Sequence, residues 1–370
     1  MHGVRYFAAT LNAFYLACLI YFIFIVFVFA GLRRYRRKHD DSDQKVLPAV
    51  SIIVAAHNEA AHLAELIPCL TDICYPKDLL QIIVVDDRSS DDTAIVLKEL
   101  RRQHTFEHLR IENVSPRYSP KKFALAAGIQ AAQHELILVT DADCRPGSKW
   151  VRQIVSSFHS DCVAVIGFSP VICRREHLSN ILSIDTLAVA ALSLAGAGRR
   201  KPFLTTGRNF AYRKSAFENA GGFAGFANEI SGDDDLLLQR IAPLGKVEFA
   251  LNASAHVVSL GGPESIRAWL RQKRRHISAS RKYATGVQLG YLIFHLSNAV
   301  IWLAPFWLGM KGLLLLAAKT VADFWILHHT ATRLSWQPRW IFLIGWEFMY
   351  VIIHTFVGAF AFVGKIRWKD

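Results

Sequence analysis

An almost uninterrupted apolar stretch, Phe7 to Phe29, lies near the start of the sequence and sets the first limit on the fold. As a helix it is long enough to cross the ~30 Å hydrocarbon core of a bilayer. A dense basic cluster follows it, from Arg33 to Lys38. A cleaved signal peptide would carry positive charge before the apolar part and a small-residue cleavage site after it. The stretch therefore indicates an uncleaved anchor with its amino terminus outside.

Three further candidate spans lie near the other end of the chain, at Val287 to Gly309, Lys311 to Thr330 and Arg339 to Val363. Tryptophans in and around these segments suit the membrane–water interface. One span at the start and three at the end would place the basic tail KIRWKD outside, against the positive-inside rule. Either one segment lies in the membrane interface or the tail breaks the rule, and the sequence leaves both alternatives open.

The formal net charge of +13 is compatible with nucleic-acid binding or with a membrane surface. The densest basic cluster adjoins an apolar span, so contact with membrane lipids is favoured and no nucleic acid is expected. None of the six cysteines forms a CxxC pair, which suits a reducing cytoplasm. The sequence predicts a multi-pass protein of the cell membrane: an anchor at 1–31, a cytoplasmic domain at 46–283 and about three helices within 287–363.

From Pro48 the pattern changes to short apolar runs, VSIIVAA, LLQIIVVDD and ELILVTDAD, which alternate with helical stretches. This alternation predicts an α/β domain with a mostly parallel, Rossmann-like sheet covered on both faces. A later apolar segment, Ile181 to Gly198, carries Asp185 and is rather short for a span. We predict that it is a helix buried in the domain or lying on the membrane surface.

Polar side chains follow each of the three predicted strands. They are His57, Asn58 and Glu59 after the first, Asp86 and Asp87 after the second, and Asp141 and Asp143 after the third. In such sheets ligands sit outside the carboxyl ends of the strands. A lone Asp after a strand indicates no more than a helix cap, but three clusters at three strand ends predict a binding site.

The TDADC segment places Asp141 and Asp143 one residue apart, just beyond a strand. Such a turn directs one carboxylate at a metal ion and the other at the metal or a ribose. Mg²⁺ and Mn²⁺ prefer carboxylate oxygen, and a divalent cation neutralises the growing charge of a diphosphate leaving group. The pair therefore predicts a Mg²⁺ or Mn²⁺ site.

The segment SGDDDLLLQRI places Asp233, Asp234 and Asp235 before a helical apolar run. Three adjacent carboxylates repel one another, which is expected to raise at least one pKa and to improve a base for an acceptor hydroxyl. The alternative is a helix that merely begins with acidic residues.

The segment RQKRRH, Arg271 to His276, lies just before the first of the three later spans. Its guanidinium groups are suited to hold a pyrophosphate bidentately. They are equally suited to lipid headgroups beside a membrane, and the spacing does not decide between the two.

Together these motifs resemble glycosyltransferase family 2, the inverting enzymes of GT-A fold that include cellulose, chitin and hyaluronan synthases. The resemblance runs from about Val50 to His276. Its motifs occur in the family's order as VAAHNEA, VVDDRSSDDT, KKFALAAG, TDADCRPGSKW, TGRNFAYRKSAFENAGGF, SGDDDL and QKRRH. It implies a GT-A catalytic domain flanked by membrane helices.

The resemblance also implies roles for single residues. Those expected at the nucleotide sugar are Asn58, Glu59, Asp87, Lys121 and Asp141, and those expected at the metal are Asp141 and Asp143. Those expected at the acceptor or the diphosphate are Asn209, Gln272, Arg275 and His276, with Gly207 and Arg213 in the same motif as Asn209.

Two positions depart from the family's motifs. Gly232 replaces a glutamate before Asp233, so Asp233 is the expected base and Asp234 a possible substitute. His276 replaces the tryptophan on which an acceptor sugar would pack. Imidazole is the smaller ring and stacks less well, which argues against processive polymerisation.

The resemblance implies inverting transfer from a nucleotide diphosphate sugar, with UDP as the expected nucleotide. A lipid or lipid-linked acceptor is favoured because three later spans are few for a translocation pore. The alternative acceptor is a growing glycan, which would make the protein a processive polysaccharide synthase. A non-catalytic membrane scaffold of the same fold is disfavoured, since the acids of the metal and base motifs are all present.

Overall fold

The computed structural model of the protein describes residues 2–35 and 47–358. The basic residues Arg36, Arg37 and Lys38, and the tail beyond Gly358 with the predicted end of the last span, lie outside the described residues. The strands are β1 Val50–Ala56, β2 Leu80–Asp87, β3 Glu107–Ile111, β4 Leu136–Asp141, β5 Cys144–Pro146, β6 Cys162–Gly167, β7 Phe210–Arg213, β8 Lys246–Ala250 and β9 Val257–Ser259. The helices are α1 His2–Arg34, α2 Ala60–Thr71, α3 Thr93–Leu100, α4 Pro120–Ala131, α5 Trp150–Val155, α6 Glu176–Gly198, α7 Lys214–Asn219, α8 Asp235–Ile241, α9 Ile266–Ala279, α10 Thr285–Leu308, α11 Met310–Arg333 and α12 Leu343–Ile352, which continues into a π-helical turn at Ile353–Val357.

The main sheet has the strand order β3–β2–β1–β4–β7–β6–β8, and β5 pairs with β9 in a small second sheet. The four strands from β3 to β4 run parallel, β7 runs antiparallel to both of its neighbours, and β8 is parallel to β6. The predicted α/β fold with a mostly parallel sheet is therefore confirmed. The three apolar runs of the sequence are β1, β2 and β4, which are direct neighbours, so their carboxyl ends meet at one edge.

Successive residues of β1 point to opposite faces of the sheet and pack against different helices. Ile53 lies in a core with α4, α6 and α8, whereas Ile52 and Val54 lie in a core with α2, α3 and α5. The first core continues into Leu32 of α1 and Ile326 of α11. The apolar helices at the two ends of the chain are thus built into the same core as the sheet.

Four stretches of the described chain are long and apolar enough to cross a membrane, namely Asn12–Arg34, Glu176–Gly198, Thr285–Leu308 and Trp340–Val357. They include the predicted anchor and two of the three predicted later spans. The third predicted span forms α11, which carries Lys319 and Asp323 and is not among the four. Glu176–Gly198 is α6, and most of it is buried inside the protein, as one of the two predicted alternatives required.

Helices α1 and α6 cross in close contact through small residues. A Cβ atom added at Gly31 would collide with the backbone of Ala195, and one added at Gly198 would collide with the backbone of Gly31. Beside this crossing, the Arg199 guanidinium lies 3.8 Å from the ring centre of Phe27. The crossing, which we call the α1–α6 seam, joins the amino-terminal helix to the domain through its backbone.

Candidate active site

A cavity of about 1250 Å³ opens at the carboxyl ends of β1 and β4 and continues between α6, α10 and the π-helical turn. At the sheet end its wall is charged and includes Glu59, Lys121, Asp141, Asp143, Arg208, Asp233 and Arg275. Between the helices its wall is largely apolar and includes Leu182, Val189, Leu289, Leu292, Leu296 and Ala299. One space therefore joins a charged chamber to an apolar one.

Lys121 links the first acidic turn to the second. It lies in the first turn of α4, directly after Pro120, whose fixed φ favours the start of a helix. Its Nζ is 2.9 Å from Asp141 Oδ1 and 2.9 Å from Asp233 Oδ2. Burial would lower the pKa of Lys121, but the two carboxylates hold it above its usual value. The predicted donor side and the predicted base thus meet at one ammonium group.

Asp143 is buried in the turn beyond Asp141. Its carboxylate accepts hydrogen bonds from Ser259 Oγ at 3.3 Å and from Cys144 Sγ at 3.4 Å. Burial and then the charge of Asp141 raise the pKa of Asp143. Two neighbouring carboxylates in this state form a hard oxygen pair that a divalent cation stabilises, so these residues fit Mg²⁺ or Mn²⁺. In the described part of the chain no three His, Cys, Asp or Glu side chains form a complete metal site, so the remaining ligands would be substrate or water.

The three consecutive aspartates have different partners. Gly232 precedes them with φ of +87°, a conformation that favours glycine. The carboxylate of Asp234 accepts the N–H of Gly207 at 2.8 Å and the N–H of Asp235 at 2.8 Å. Asp235 accepts a hydrogen bond from the hydroxyl of Tyr283. Asp234 and Asp235 therefore hold the backbone of this segment and the start of α10 in place.

Asp233 is the aspartate that faces Lys121. Burial would raise the pKa of Asp233, but the ammonium groups of Lys121 and Lys122 lower it to about 2. Burial raises the pKa of Asp234, where the charge of Asp233 adds to the effect, and raises that of Asp235 well above its usual range. The expected rise in pKa thus occurs beside the predicted base and not at it.

Helix α9 brings the RQKRRH segment to the cavity. Ser265 caps its first turn, and Lys273 Nζ lies 2.6 Å from Asp185 of α6. Burial lowers the pKa of Arg275, and burial followed by the charge of Arg275 lowers that of His276 well below its usual value. The residues of this segment that line the cavity include the three predicted ones, Gln272, Arg275 and His276.

Two predicted donor-side residues shape the loops beside the cavity. Asn58 has φ of +56°, and its Oδ1 accepts the N–H of Ser90 at 2.8 Å. Asp87 is buried and accepts a hydrogen bond from Arg88 Nε at 2.8 Å. Neither lies in the cavity wall, whereas Glu59 does.

Two residues predicted near the acceptor do not line the cavity, and Arg213 lies beside Leu136, at the other end of β4 from Asp141. Asn209 is buried, accepts from Trp150 Nε1 at 3.0 Å and donates to the carbonyl of Phe168 at 3.0 Å. Arg213 Nε donates to the carbonyl of Cys162 at 2.8 Å. Both side chains fasten β7 to neighbouring segments.

Sequence reasoning missed cavity residues of two kinds. Arg208 lines the cavity and donates from Nε to Ser169 Oγ at 3.1 Å. The sequence could have identified Arg208 as a site residue, because it lies inside the TGRNFAYR motif. Tyr291 and His295 line the deeper part of the cavity from α10, and the sequence offered only their place in a predicted span.

The parallel sheet, the carboxylate turn at its edge and the cavity define a glycosyltransferase of GT-A fold. The fold is shared with the mannosyltransferase PcManGT from Pyrobaculum calidifontis, which was solved in complex with GDP-Man and Mn²⁺. The TM-score is 0.57 at 19% identity, over 90% of this chain and 99% of that one. Residues 13–370 match Glycosyl transferase family 21, and the chain belongs to that family. The predicted enzyme class is confirmed, and the family that matches is 21 where the resemblance named family 2.

Two curated relatives match this chain over a smaller part of its length. The probable glycosyltransferase YdaM of Bacillus subtilis is 29% identical over 63% of this chain and 55% of its own length. The beta-monoglucosyldiacylglycerol synthase of Trichormus variabilis is 28% identical over 67% of this chain and 51% of its own length. The chain thus spans about half the length of these curated relatives.

Proposed function

We propose that this protein is a membrane-bound inverting glycosyltransferase that moves a sugar from a nucleotide diphosphate sugar, with UDP expected, to a lipid acceptor. The observation that carries the proposal is the continuity of the cavity. Leu289, Leu292 and Leu296 line it, and each is more than half exposed at 55%, 56% and 56%. The cavity wall therefore reaches the outer apolar surface of α10, which supports entry of the acceptor from the bilayer. The diacylglycerol product named for the Trichormus relative supports the same acceptor class.

On the donor side, Asp141 and Asp143 would hold Mg²⁺ or Mn²⁺, which neutralises the charge that grows on the departing diphosphate. Glu59 and Lys121 line the same chamber beside the nucleotide. Arg275, planar and charged, lies across the cavity and is suited to bind phosphate oxygens.

On the acceptor side, Asp233 takes the proton of the attacking hydroxyl. Its carboxylate is ionised at neutral pH because its pKa is about 2. Lys121 holds Asp233 and Asp141 at one point, so the base and the donor site are positioned together. Attack on the anomeric carbon opposite the diphosphate then inverts its configuration.

The domain boundaries remain those of the sequence: an anchor at 1–31, a cytoplasmic GT-A domain at 46–283 and membrane helices in 287–363. Both ends of the α12 segment contact the domain, because Arg339 pairs with Glu176 while Ile353 packs in one core with Trp269 and Leu178. This supports α12 as the segment that does not cross the membrane, with α1, α10 and α11 crossing. The middle of α12 still reaches into the helices, where Glu347 pairs with Lys319 of α11. The end of the chain then returns to the cytoplasmic side, and the conflict over the basic tail disappears.

The function is tested by incubating purified enzyme in lipid with UDP-, GDP- and TDP-sugars and diacylglycerol, and scoring nucleotide release and product. We expect one sugar per lipid with inverted configuration. Asp143→Asn should abolish transfer, whereas the exposed Asp78→Asn serves as a matched control. Full activity in excess chelator would contradict the metal site. A ladder of dozens of sugars would instead identify a polysaccharide synthase.

A second experiment tests the membrane arrangement. In a background with the exposed Cys74 replaced by serine, a cysteine at Gln103 should resist an impermeant reagent added to intact cells. A cysteine at Met310, at the far turn between α10 and α11, should react. The reverse result would contradict the proposed orientation.

A further inference from the structure

A row of rings with polar tips lines the cavity from the acidic chamber into the membrane helices. Tyr283, which contacts Asp235, is followed by Tyr291 with ring centroids 6.2 Å apart. Tyr291 lies 5.6 Å from His295, and His295 stacks on His354 at 4.1 Å with the rings 5° from parallel. Tyr350 completes the row, with its ring centroid 4.3 Å from that of His354.

The last four rings of this row, which we call the ring subsite, expose hydrogen-bonding atoms without protein partners. Among residues 2–35 and 47–358, no side-chain hydrogen bond is formed by Tyr291, His295, Tyr350 or His354, and all four line the cavity. Phenylalanine would fill the same ring positions. Their polar atoms border the cavity. A wholly apolar ligand that displaced water there would leave them unsatisfied at about 1–3 kcal/mol each, so they favour a polar group of the ligand at this level.

The fold places the ring subsite between the two halves of the cavity. Tyr291 and His295 are one turn apart on α10, a rise of about 6 Å, and the cavity-lining Leu292 and Leu296 lie beside them. His354 belongs to the π-helical turn, a rare geometry that is frequent at functional sites. Because the row begins at Tyr283, beside Asp235, and continues to the leucines of α10, a lipid with its hydroxyl at Asp233 would extend along these rings towards the leucines.

We propose that the ring subsite binds the carbonyl oxygens through which the fatty chains of the acceptor are attached. This inference rests on the proposed function and narrows its acceptor to acyl lipids. Two imidazoles and two phenols supply N–H and O–H donors, which match carbonyl acceptors. A phosphate-linked acceptor would require cations free to bind it here. Lys121, Arg208 and Arg275 line the charged end of the cavity, and Lys273, which also lines it, is already paired with Asp185 at 2.6 Å.

The test compares two acceptors that share a glycerol hydroxyl, diacylglycerol and its dialkyl ether analogue, which lacks carbonyl groups. Wild-type kcat/KM should favour the diacyl lipid by about 5- to 10-fold, the size of one neutral hydrogen bond. His295→Phe and His354→Phe should remove this preference by raising KM for the diacyl lipid alone. The matched control is His328→Phe, since His328 stacks on Phe324 of α11 away from the cavity and should leave the preference unchanged.

The ratio of the two acceptors is measured within each variant, so a partial loss of folded enzyme cancels. Tyr350→Phe supplies a second variant that removes only one hydroxyl and should lower the ratio. Equal use of both lipids by wild-type enzyme, or an unchanged ratio in the histidine variants, would overturn the inference while the proposed function stands. Transfer to neither lipid would contradict the proposed function itself and this inference with it.

Discussion

Two lysines of this protein, Lys121 and Lys319, each lie between two carboxylates, and they differ in whether a ligand can reach them. Lys121 Nζ is 2.9 Å from both Asp141 and Asp233. Its side chain is 18% exposed and borders the cavity. A substrate can therefore reach all three groups.

The membrane cluster has no such opening. Lys319 Nζ is 2.7 Å from Asp323 and 2.8 Å from Glu347, and its side chain is 2% exposed. Tyr21 of α1 hydrogen-bonds to Asp323, and Thr320 donates to Glu347 at 3.0 Å. The cluster joins α1, α11 and α12 at one point.

An identical pattern of charges thus serves two purposes, and access decides which. Among apolar helices a charge has to find its partners inside the protein, because neither water nor lipid tails can replace them. The cluster around Lys319 therefore fixes how three helices meet. The cluster around Lys121 borders open space, so a ligand that enters the cavity can replace its partners.

The largest effect is expected from the base. Asp233→Asn keeps the size and polarity of the side chain but cannot accept a proton, so the turnover rate should fall by ~10² to 10⁴. Donor affinity and the unfolding temperature should change little, as measured by nucleotide binding and thermal unfolding in detergent. A larger loss with Asp234→Asn would assign the base to Asp234 instead.

The membrane cluster should show the opposite pattern. Lys319→Met leaves two carboxylates unpaired among apolar helices, which should lower the free energy of unfolding by about 3–5 kcal/mol. The control replaces all three charged residues together with Met or Leu, which should recover most of that stability. Unfolding in denaturant at fixed detergent measures both. A stable but inactive Lys319→Met enzyme would remove the distinction between the two clusters.

The catalytic cluster should respond mainly in rate. Lys121→Met removes charged hydrogen bonds worth about 1.5–3 kcal/mol, so kcat/KM should fall by about 10- to 150-fold. The unfolding temperature should fall less than in Lys319→Met, because the cavity lets water reach Asp141 and Asp233. Equal destabilisation by the two variants would show that the cavity does not solvate the site.

The smallest effect concerns pH. A base must be ionised, so activity is lost as pH falls through its pKa. With the pKa of Asp233 at about 2, kcat/KM of the wild-type enzyme should show no acid limb from Asp233 between pH 5 and 8. In Lys121→Met, burial is no longer offset to the same degree, so the pKa rises and an acid limb should move up towards neutral pH. An unshifted profile in that variant would mean that Lys121 does not control this base.

The sequence predicted those strands that form clear apolar runs. The runs at β1, β2 and β4 are nearly all apolar and buried, and parallel neighbours bring Glu59 and Asp141 to one edge. By contrast, β7 is a four-residue strand inserted antiparallel between β4 and β6. So short a strand has no periodic signal, and its place depends on partners far away in the chain.

The site was predicted unevenly for a related reason. A polar residue that follows a strand can either face a ligand or hold its own loop in place. Glu59 lines the cavity, whereas the neighbouring Asn58 binds the backbone of its own loop. Motif position cannot separate the two, since the difference lies in where each side chain points. His295 and His354 were missed because they lie 59 residues apart in segments that the sequence identifies only as apolar spans, and their stacking exists only after the helices pack.

The α1–α6 seam bears on how this enzyme is handled in the laboratory. Many membrane-anchored enzymes yield a soluble fragment when the anchor is cut away at a flexible linker. Here Gly31 and Gly198 meet backbone to backbone, and Leu32 lies in the same core as the sheet. A fragment begun at Pro48 would leave an apolar groove on α6, along a wall of the acceptor cavity. The first helix is thus a structural part of the fold, and a stable preparation should retain it in a detergent or lipid that covers its apolar surface.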